Sequence, residues 1–291
     1  MTSGRRSERI GSSNQEKSAP RESPHTAAQG LPPKAEIDVR NVILVLSGKG
    51  GVGKSTVSVN LAFALADSGK TTGLLDLDIH GPNIPKLLGI EDQRLQVLEN
   101  KIEPVHITGN LSVISMAFLL PETNTPVIWR GPMKMTAIRQ FLSDVNWGAL
   151  EYLVVDLPPG TGDEALSIIQ LAPNVSGAVI VTTPQDVATM DAKKAASFIQ
   201  KLGLPVIGVI ENMSGMTCPH CGELISIFGS GGGRKAAEEL KIPFLGSIPL
   251  DPAMVIAGDE GRPFIHNVSG SPTVKAVKLV MENLVAQINT T

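Results

Sequence analysis

Gly48-Lys49-Gly50-Gly51-Val52-Gly53-Lys54-Ser55-Thr56 restricts the possible folds of this chain more than any other stretch, because of what flanks it. The nonapeptide fits the phosphate-loop pattern G-x-x-x-x-G-K-[ST]. Before it, Val42-Ile43-Leu44-Val45-Leu46 predicts a buried strand; after it, a helix is predicted over Lys54 to Asp67, with Val57, Leu61, Ala64 and Leu65 inward. In that setting the glycines let the backbone close around phosphates, and the start of the helix adds its positive dipole end. Lys54 is then expected to reach the β- and γ-phosphates, and the Ser55 hydroxyl to ligate Mg²⁺. A glycine-rich turn matching by accident is the bland alternative. Strand, loop, lysine, hydroxyl and helix in the right order weigh against it.

Downstream the chain alternates between strand and helix patterns. Strands are predicted at Thr71 to Asp76, Tyr152 to Val155, Ala178 to Val181, Val206 to Ile210 and Phe244 to Ile248. Helices are predicted near 83–88, 132–144, 164–171, 186–202, 232–240 and 273–288, and the stretch from Leu95 to Met116 as a hairpin or an edge addition. Such alternation predicts an α/β fold, a mostly parallel sheet with helices on both faces. Composition agrees: apolar residues make up 42 % and aromatics 3 %, so Val, Ile, Leu and Ala must build the core, which suits a parallel sheet. Ligands are expected at the carboxyl ends of the strands.

Two acidic turns end predicted strands. Asp156 closes Tyr152-Leu153-Val154-Val155, the Walker B arrangement of a carboxylate facing the phosphate loop and Mg²⁺; its bland alternative is a solvated strand-end acid. The following Leu157-Pro158-Pro159-Gly160-Thr161-Gly162-Asp163 is stiff and then flexible, as a γ-phosphate switch requires. Asp76 and Asp78, one residue apart, fall on the same side of an extended chain. One is placed to hold Mg²⁺ and the other to polarise water, against a reading as caps or solvated acids. Asp163 and Asp186 read as helix-start residues. His80 is the histidine nearest this region, and no histidine pair has metal-ligand spacing.

The chain has only two cysteines, in Cys218-Pro219-His220-Cys221-Gly222. Proline stiffens this knuckle and glycine permits its turn, so that backbone N–H groups face the sulfurs and both thiolates can bind one metal centre. A redox pair and inert thiols are the competing readings. Tetrahedral zinc and a [4Fe–4S] cluster each want four ligands, and one chain supplies two, so a symmetric homodimer would complete the site at its two-fold axis.

Lys49 gives the form K-G-G-x-G-K-[ST]. Spacing leaves open whether it is a solvated lysine or one that crosses a dimer interface. With K-G-G-V-G-K-S-T, D-L-D-I-H-G-P-N, W-R-G-P-M at 129–133, D-L-P-P-G-T-G-D, E-N-M-S at 211–214 and C-P-H-C, residues 40 to 290 resemble the Mrp/ApbC-type (Nbp/Ind-like) iron–sulfur cluster carrier ATPases. These are members of the deviant phosphate-loop class that includes MinD, ParA and the nitrogenase iron protein. The resemblance implies slow ATP hydrolysis, nucleotide-dependent dimerisation with Lys49 acting in trans, and water activation by Asp78. It also implies adenine contacts from Asn212 and the Pro249-Leu250-Asp251 loop. Its cargo would be a [4Fe–4S] cluster bridged between subunits and delivered to apo iron–sulfur proteins. The chain departs from some members in having no N-terminal cysteine cluster.

Net charge −3 argues against nucleic-acid or membrane-surface binding, and two cysteines against a disulfide framework, so the cytoplasm is expected. Residues 1–38 are read as a disordered tail and 39–291 as the ATPase domain, with the C-x-x-C loop at 213–230. Arg5, Arg6 and Arg9 suggest a transit peptide to an organelle matrix, against which stand Glu8, Glu16 and Glu22. The rival function is a MinD/ParA-type positioning switch with structural zinc at the cysteines. It would want a basic amphipathic C-terminal helix, whereas Val274, Val277, Val280, Leu284 and Ile288 predict a helix docked on the core.

Overall fold

The computed structural model describes residues 33–79, 81–119, 131–218, 220–267 and 270–290. In chain order the first half contains β1 (Val39–Ser47), α1 (Lys54–Asp67), β2 (Thr72–Asp76), α2 (Ile84–Leu88), β3 (Gln96–Leu98), β4 (Lys101–Glu103), β5 (Val105–Thr108), β6 (Leu111–Ser115) and α3 (Gly131–Ser143). The second half contains β7 (Leu150–Asp156), α4 (Asp163–Leu171), β8 (Val175–Thr182), α5 (Asp186–Lys201), β9 (Val206–Asn212), β10 (Met216–Thr217), β11 (Leu224–Ile225), α6 (Gly232–Leu240), β12 (Phe244–Ile248), α7 (Pro252–Asp259), α8 (Phe264–Asn267) and α9 (Pro272–Thr290).

Eight strands form one sheet in the order β12-β9-β8-β1-β7-β2-β6-β5. All neighbours run parallel except β5, which pairs antiparallel to β6 at the edge. Period-2 alternation explains how aliphatic strands hold two layers of helices. Along β1, Val42, Leu44 and Leu46 enter the core shared with α3, α4 and α5, while Ile43 and Val45 enter the opposite core with α1 and α9. The helix α9 docks as its stripe predicts, with Val274, Val277, Val280 and Leu284 buried. Each such side chain contributes about 1.5–3 kcal/mol of burial.

The stretch from Leu95 to Met116 combines both expected forms. β3 and β4 make a small antiparallel ladder of their own, while β6 adds to the main sheet beside β2 and carries β5 on its outer edge. The start of the described chain packs against the domain. Lys34 donates from Nζ to the carbonyls of Ile169 (2.6 Å) and Ala172 (2.8 Å), and the Ala35 N–H donates to Leu171 O (2.7 Å). This part of the chain therefore docks at the C-terminus of α4, whose last carbonyls lack partners of their own and attract a cation. Residues 1–32 of the expected tail lie outside the described residues. α7 was not anticipated, because Ala253-Met254-Val255-Ile256-Ala257 is apolar all round and carries no helical periodicity.

Candidate functional site

The phosphate loop joins β1 to α1, and its backbone needs glycine in two places. Gly51 and Gly53 lie at φ +79° and +78°, where a Cβ is strained, and a Cβ on Gly53 would also overlap the Asn212 amide. Around the loop lies a cavity of about 550 Å³ lined by Lys49, Gly50, Gly51, Lys54, Ser55, Thr56 and Asp78, among others. Gly48 lies so close to Asp191 on α5 that a Cβ there would overlap the Asp191 backbone.

Strand ends supply the charge. The β2 and β7 pairing sets Asp76 beside Asp156, and both are fully buried. Lys54 Nζ lies 2.8 Å from Asp156 Oδ2 and 3.9 Å from Asp78 Oδ2. Ser55 Oγ donates to Asp156 Oδ2 (2.7 Å) and Ser58 Oγ to Asp156 Oδ1 (2.6 Å). Asp76 accepts from Ser115 Oγ (2.8 Å) and from the Asp78 N–H (3.0 Å). Burial first, and then the Asp156 charge, push the Asp76 carboxyl up to about 8. Asp78 accepts from the Gly81 N–H at 3.2 Å and sits at the rim of the cavity. His80 lies outside the described residues.

This donor set fits Mg²⁺ and a polyphosphate: a hydroxyl and a carboxylate already in contact, a lysine, and a cradle of glycine N–H groups. Ser58 and Ser115 were missed from the sequence. Ser58 lies one helical turn beyond Lys54 on the same face, a signal that was available; Ser115 reaches Asp76 only through the β2–β6 pairing.

A second cavity of about 210 Å³ adjoins the first through Gly53 and Thr56, and is lined by Asn212, Met213, Pro249, Asp251 and Met254. Its walls are mainly apolar, as a purine slot requires. Asn212 Nδ2 donates to Val52 O at 2.9 Å, which commits one of its two N–H groups to the loop and leaves Oδ1 able to accept a further bond. Asp251 caps α7 through Oδ1 to the Ala253 N–H (2.9 Å), so its carboxylate is engaged in shaping the slot wall. Asp163 and Asp186 begin α4 and α5, as their spacing suggests.

The cysteines sit at the tip of the β10–β11 hairpin. Cys218 N–H donates to Glu223 O (2.8 Å), and Gly222 N–H to Cys218 O (2.9 Å), closing the knuckle. Backbone N–H groups of Cys221 and His220, and then the Cys221 side chain, lower the Cys218 thiol below its ordinary value. Cys221 is exposed. Among the described residues, no group of three or more His, Cys, Asp or Glu is arranged to hold a metal ion. A third cavity, about 390 Å³, runs from Cys218 along Pro249, Leu250 and Asp251. The loop before α7 is therefore a wall common to the purine-like slot and the cysteine side. No helix among the described residues is long and apolar enough to cross a membrane.

A family described as the ParA family NUBPL iron-transfer P-loop NTPases matches residues 38–285. An iron–sulfur cluster carrier protein of Methanocaldococcus jannaschii is 54 % identical over 227 residues, 78 % of each chain. The human cytosolic Fe-S cluster assembly factor NUBP2 is 48 % identical over 250 residues, covering 84 % of this chain and 92 % of that protein. Among solved structures, a nucleotide-binding protein of Archaeoglobus fulgidus in complex with ADP superposes with a TM-score of 0.69 at 38 % identity, over 82 % of this chain and 91 % of the other. MinD of Pyrococcus horikoshii, complexed with Mg-ADP, gives 0.61 at 24 % identity over 84 % and 96 %, a likeness of fold alone.

Proposed function

We propose, because this chain belongs to the family of NUBPL iron-transfer P-loop NTPases, that it is a homodimeric ATPase which carries a [4Fe–4S] cluster between two copies of its C-x-x-C knuckle and delivers it to apo iron–sulfur proteins. The observation that carries this reading is the knuckle itself. It presents two thiols on a hairpin, one of them lowered by backbone N–H groups, and no group of three or more His, Cys, Asp or Glu among the described residues is arranged to hold a metal. Two thiolates are half of what such a cluster needs, and a second copy supplies the rest. The named relatives work on iron–sulfur clusters, and the cytosolic name of one supports a cytoplasmic setting.

The nucleotide side works through this chain's own residues. Ser55 and Asp156 would hold Mg²⁺, which offsets phosphate charge when bound. Lys54 is already oriented by two carboxylates and moves its charge toward the β- and γ-phosphates. Asn212 accepts from the adenine amine through Oδ1, with Pro249 and Asp251 walling the slot. Asp78, at the rim of the phosphate cavity, orients the attacking water. Lys49 reaches across the dimer to the partner's phosphates, so hydrolysis is slow until the dimer forms.

Anaerobic reconstitution with iron and sulfide tests the reading. About four Fe per dimer are expected, with uptake lost in Cys218→Ala and in Cys221→Ala. Zinc retained with no iron uptake would move the protein to a structural-zinc switch.

A further inference from the structure

Glu211 is a fully buried carboxylate at the end of β9, and it lines neither cavity of the nucleotide site. Burying a carboxylate is costly unless hydrogen bonds replace its water. Three donors do so: Ser214 Oγ at 2.5 Å and the Gly231 N–H at 2.9 Å, both to Oε1, and the Gly233 N–H at 2.6 Å to Oε2. Ser214 lies just before the cysteine hairpin, and Gly231 and Gly233 just after it. One carboxylate therefore grips both ends of the excursion that carries Cys218 and Cys221. Gly231 and Gly233 open α6, whose positive end suits the charge. Gly233 is also needed for the approach, since a Cβ there would lie 2.9 Å from Glu211 Cβ.

Beyond this base the hairpin has little to hold it. Among the described residues its ladder is two residues long and its Leu224, Ile225 and Ile227 are exposed, while backbone bonds from the Ser214 N–H to Ile248 O (3.0 Å) and from the Leu250 N–H to Gly215 O (2.8 Å) hold the start of its first strand. Its position is consequently set where it leaves and rejoins the domain. Residue 212, the neighbour of the clamp, donates to the phosphate loop instead. Consecutive side chains at a strand end point to opposite sides, so β9 serves the nucleotide slot with one residue and the cysteine loop with the other.

We propose that Glu211 is a positioning residue that fixes the spacing and orientation of the Cys218–Cys221 knuckle by clamping Ser214 to Gly231 and Gly233. This rests on the reading that the two cysteines hold the cargo.

The test uses the full chain with Glu211→Gln, which preserves size but sets an amide NH₂ where a second acceptor is needed. In the metal-free protein, deuterium exchange of the amides at 215–230 should quicken by about tenfold or more, the effect of losing a charged hydrogen bond. The cobalt(II)–thiolate absorption formed with Co²⁺ alone should weaken and shift, while affinity for a fluorescent ATP analogue stays within about twofold. Ser214→Ala should move both readouts the same way by less, and it decides the matter if Glu211→Gln fails to fold. Unchanged exchange and an unchanged cobalt spectrum would overturn the clamp, whatever iron uptake shows. A loosened hairpin in a protein whose wild type takes up no iron would keep the clamp and remove the cluster reading.

Discussion

Lys49 and Lys54 lie five residues apart in one loop, yet the structure gives them different surroundings. Lys54 is buried against Asp156 and near Asp78, whereas Lys49 has no ion pair among the described residues and borders the open cavity. A cation held in no local pair is available to a second copy. Lys49→Ala should therefore bind ATP normally but lose hydrolysis by about 10³-fold, the scale of a charge supplied in trans. Steady-state phosphate release with separate nucleotide titration checks this, and unchanged turnover would remove the trans role. Asn212 gives a second residue-level expectation. One N–H of Nδ2 is engaged by Val52, and Oδ1 remains able to accept from an adenine amine. Asn212→Ala should weaken ATP binding by about 1–2 kcal/mol, read by competition titration.

At the scale of elements, the adjacent ends of β2 and β7 hold two carboxylates and one lysine. Asp76 is raised from 3.8 to about 8, chiefly by burial and then by Asp156, against the lowering effects of Ser115, the Asp78 N–H and Lys54. Its folded state keeps a proton that the unfolded chain releases above pH 4. The Asp76 contribution to the stability of the nucleotide- and magnesium-free protein is thus largest below that value and falls as pH rises toward 8, by at most about 1.4 kcal/mol per unit. Asp76→Asn should flatten the slope, and urea midpoints between pH 5 and 8 measure it; a wild-type profile that rises over this range would contradict the buried-acid account. Element boundaries were largely legible in the sequence. α1 begins and ends at Lys54 and Asp67 as expected, because the phosphate loop fixes its start and apolar spacing its length. The hairpin bearing the cysteines was not, since its two-residue strands are too short to show a period.

For the whole molecule, the proposed dimer would bring a second copy against the face that carries Lys49 and α5. Gly48 rests on Asp191, and on the same helix Val187 and Met190 are 64 % and 58 % exposed, one turn apart on the helix that backs the phosphate loop. With ATP and magnesium the wild type should be a dimer by light scattering. Met190→Glu should remain monomeric, bind nucleotide and lose hydrolysis, and a dimer unaffected by that charge would place the interface elsewhere.

The amino-acid sequence by itself determined the alternating architecture, the phosphate cradle and the pairing of two thiols, since each is written within a few neighbouring residues and follows from backbone geometry or ligand valence. Only the tertiary structure decided that Lys54 meets Asp156, that burial beside Asp156 raises the Asp76 carboxyl, and that Glu211 accepts hydrogen bonds from both ends of the cysteine hairpin. Those outcomes depend on strand order and burial, which bring residues distant in the chain into a low-dielectric interior where a hydrogen bond or a charge changes in worth.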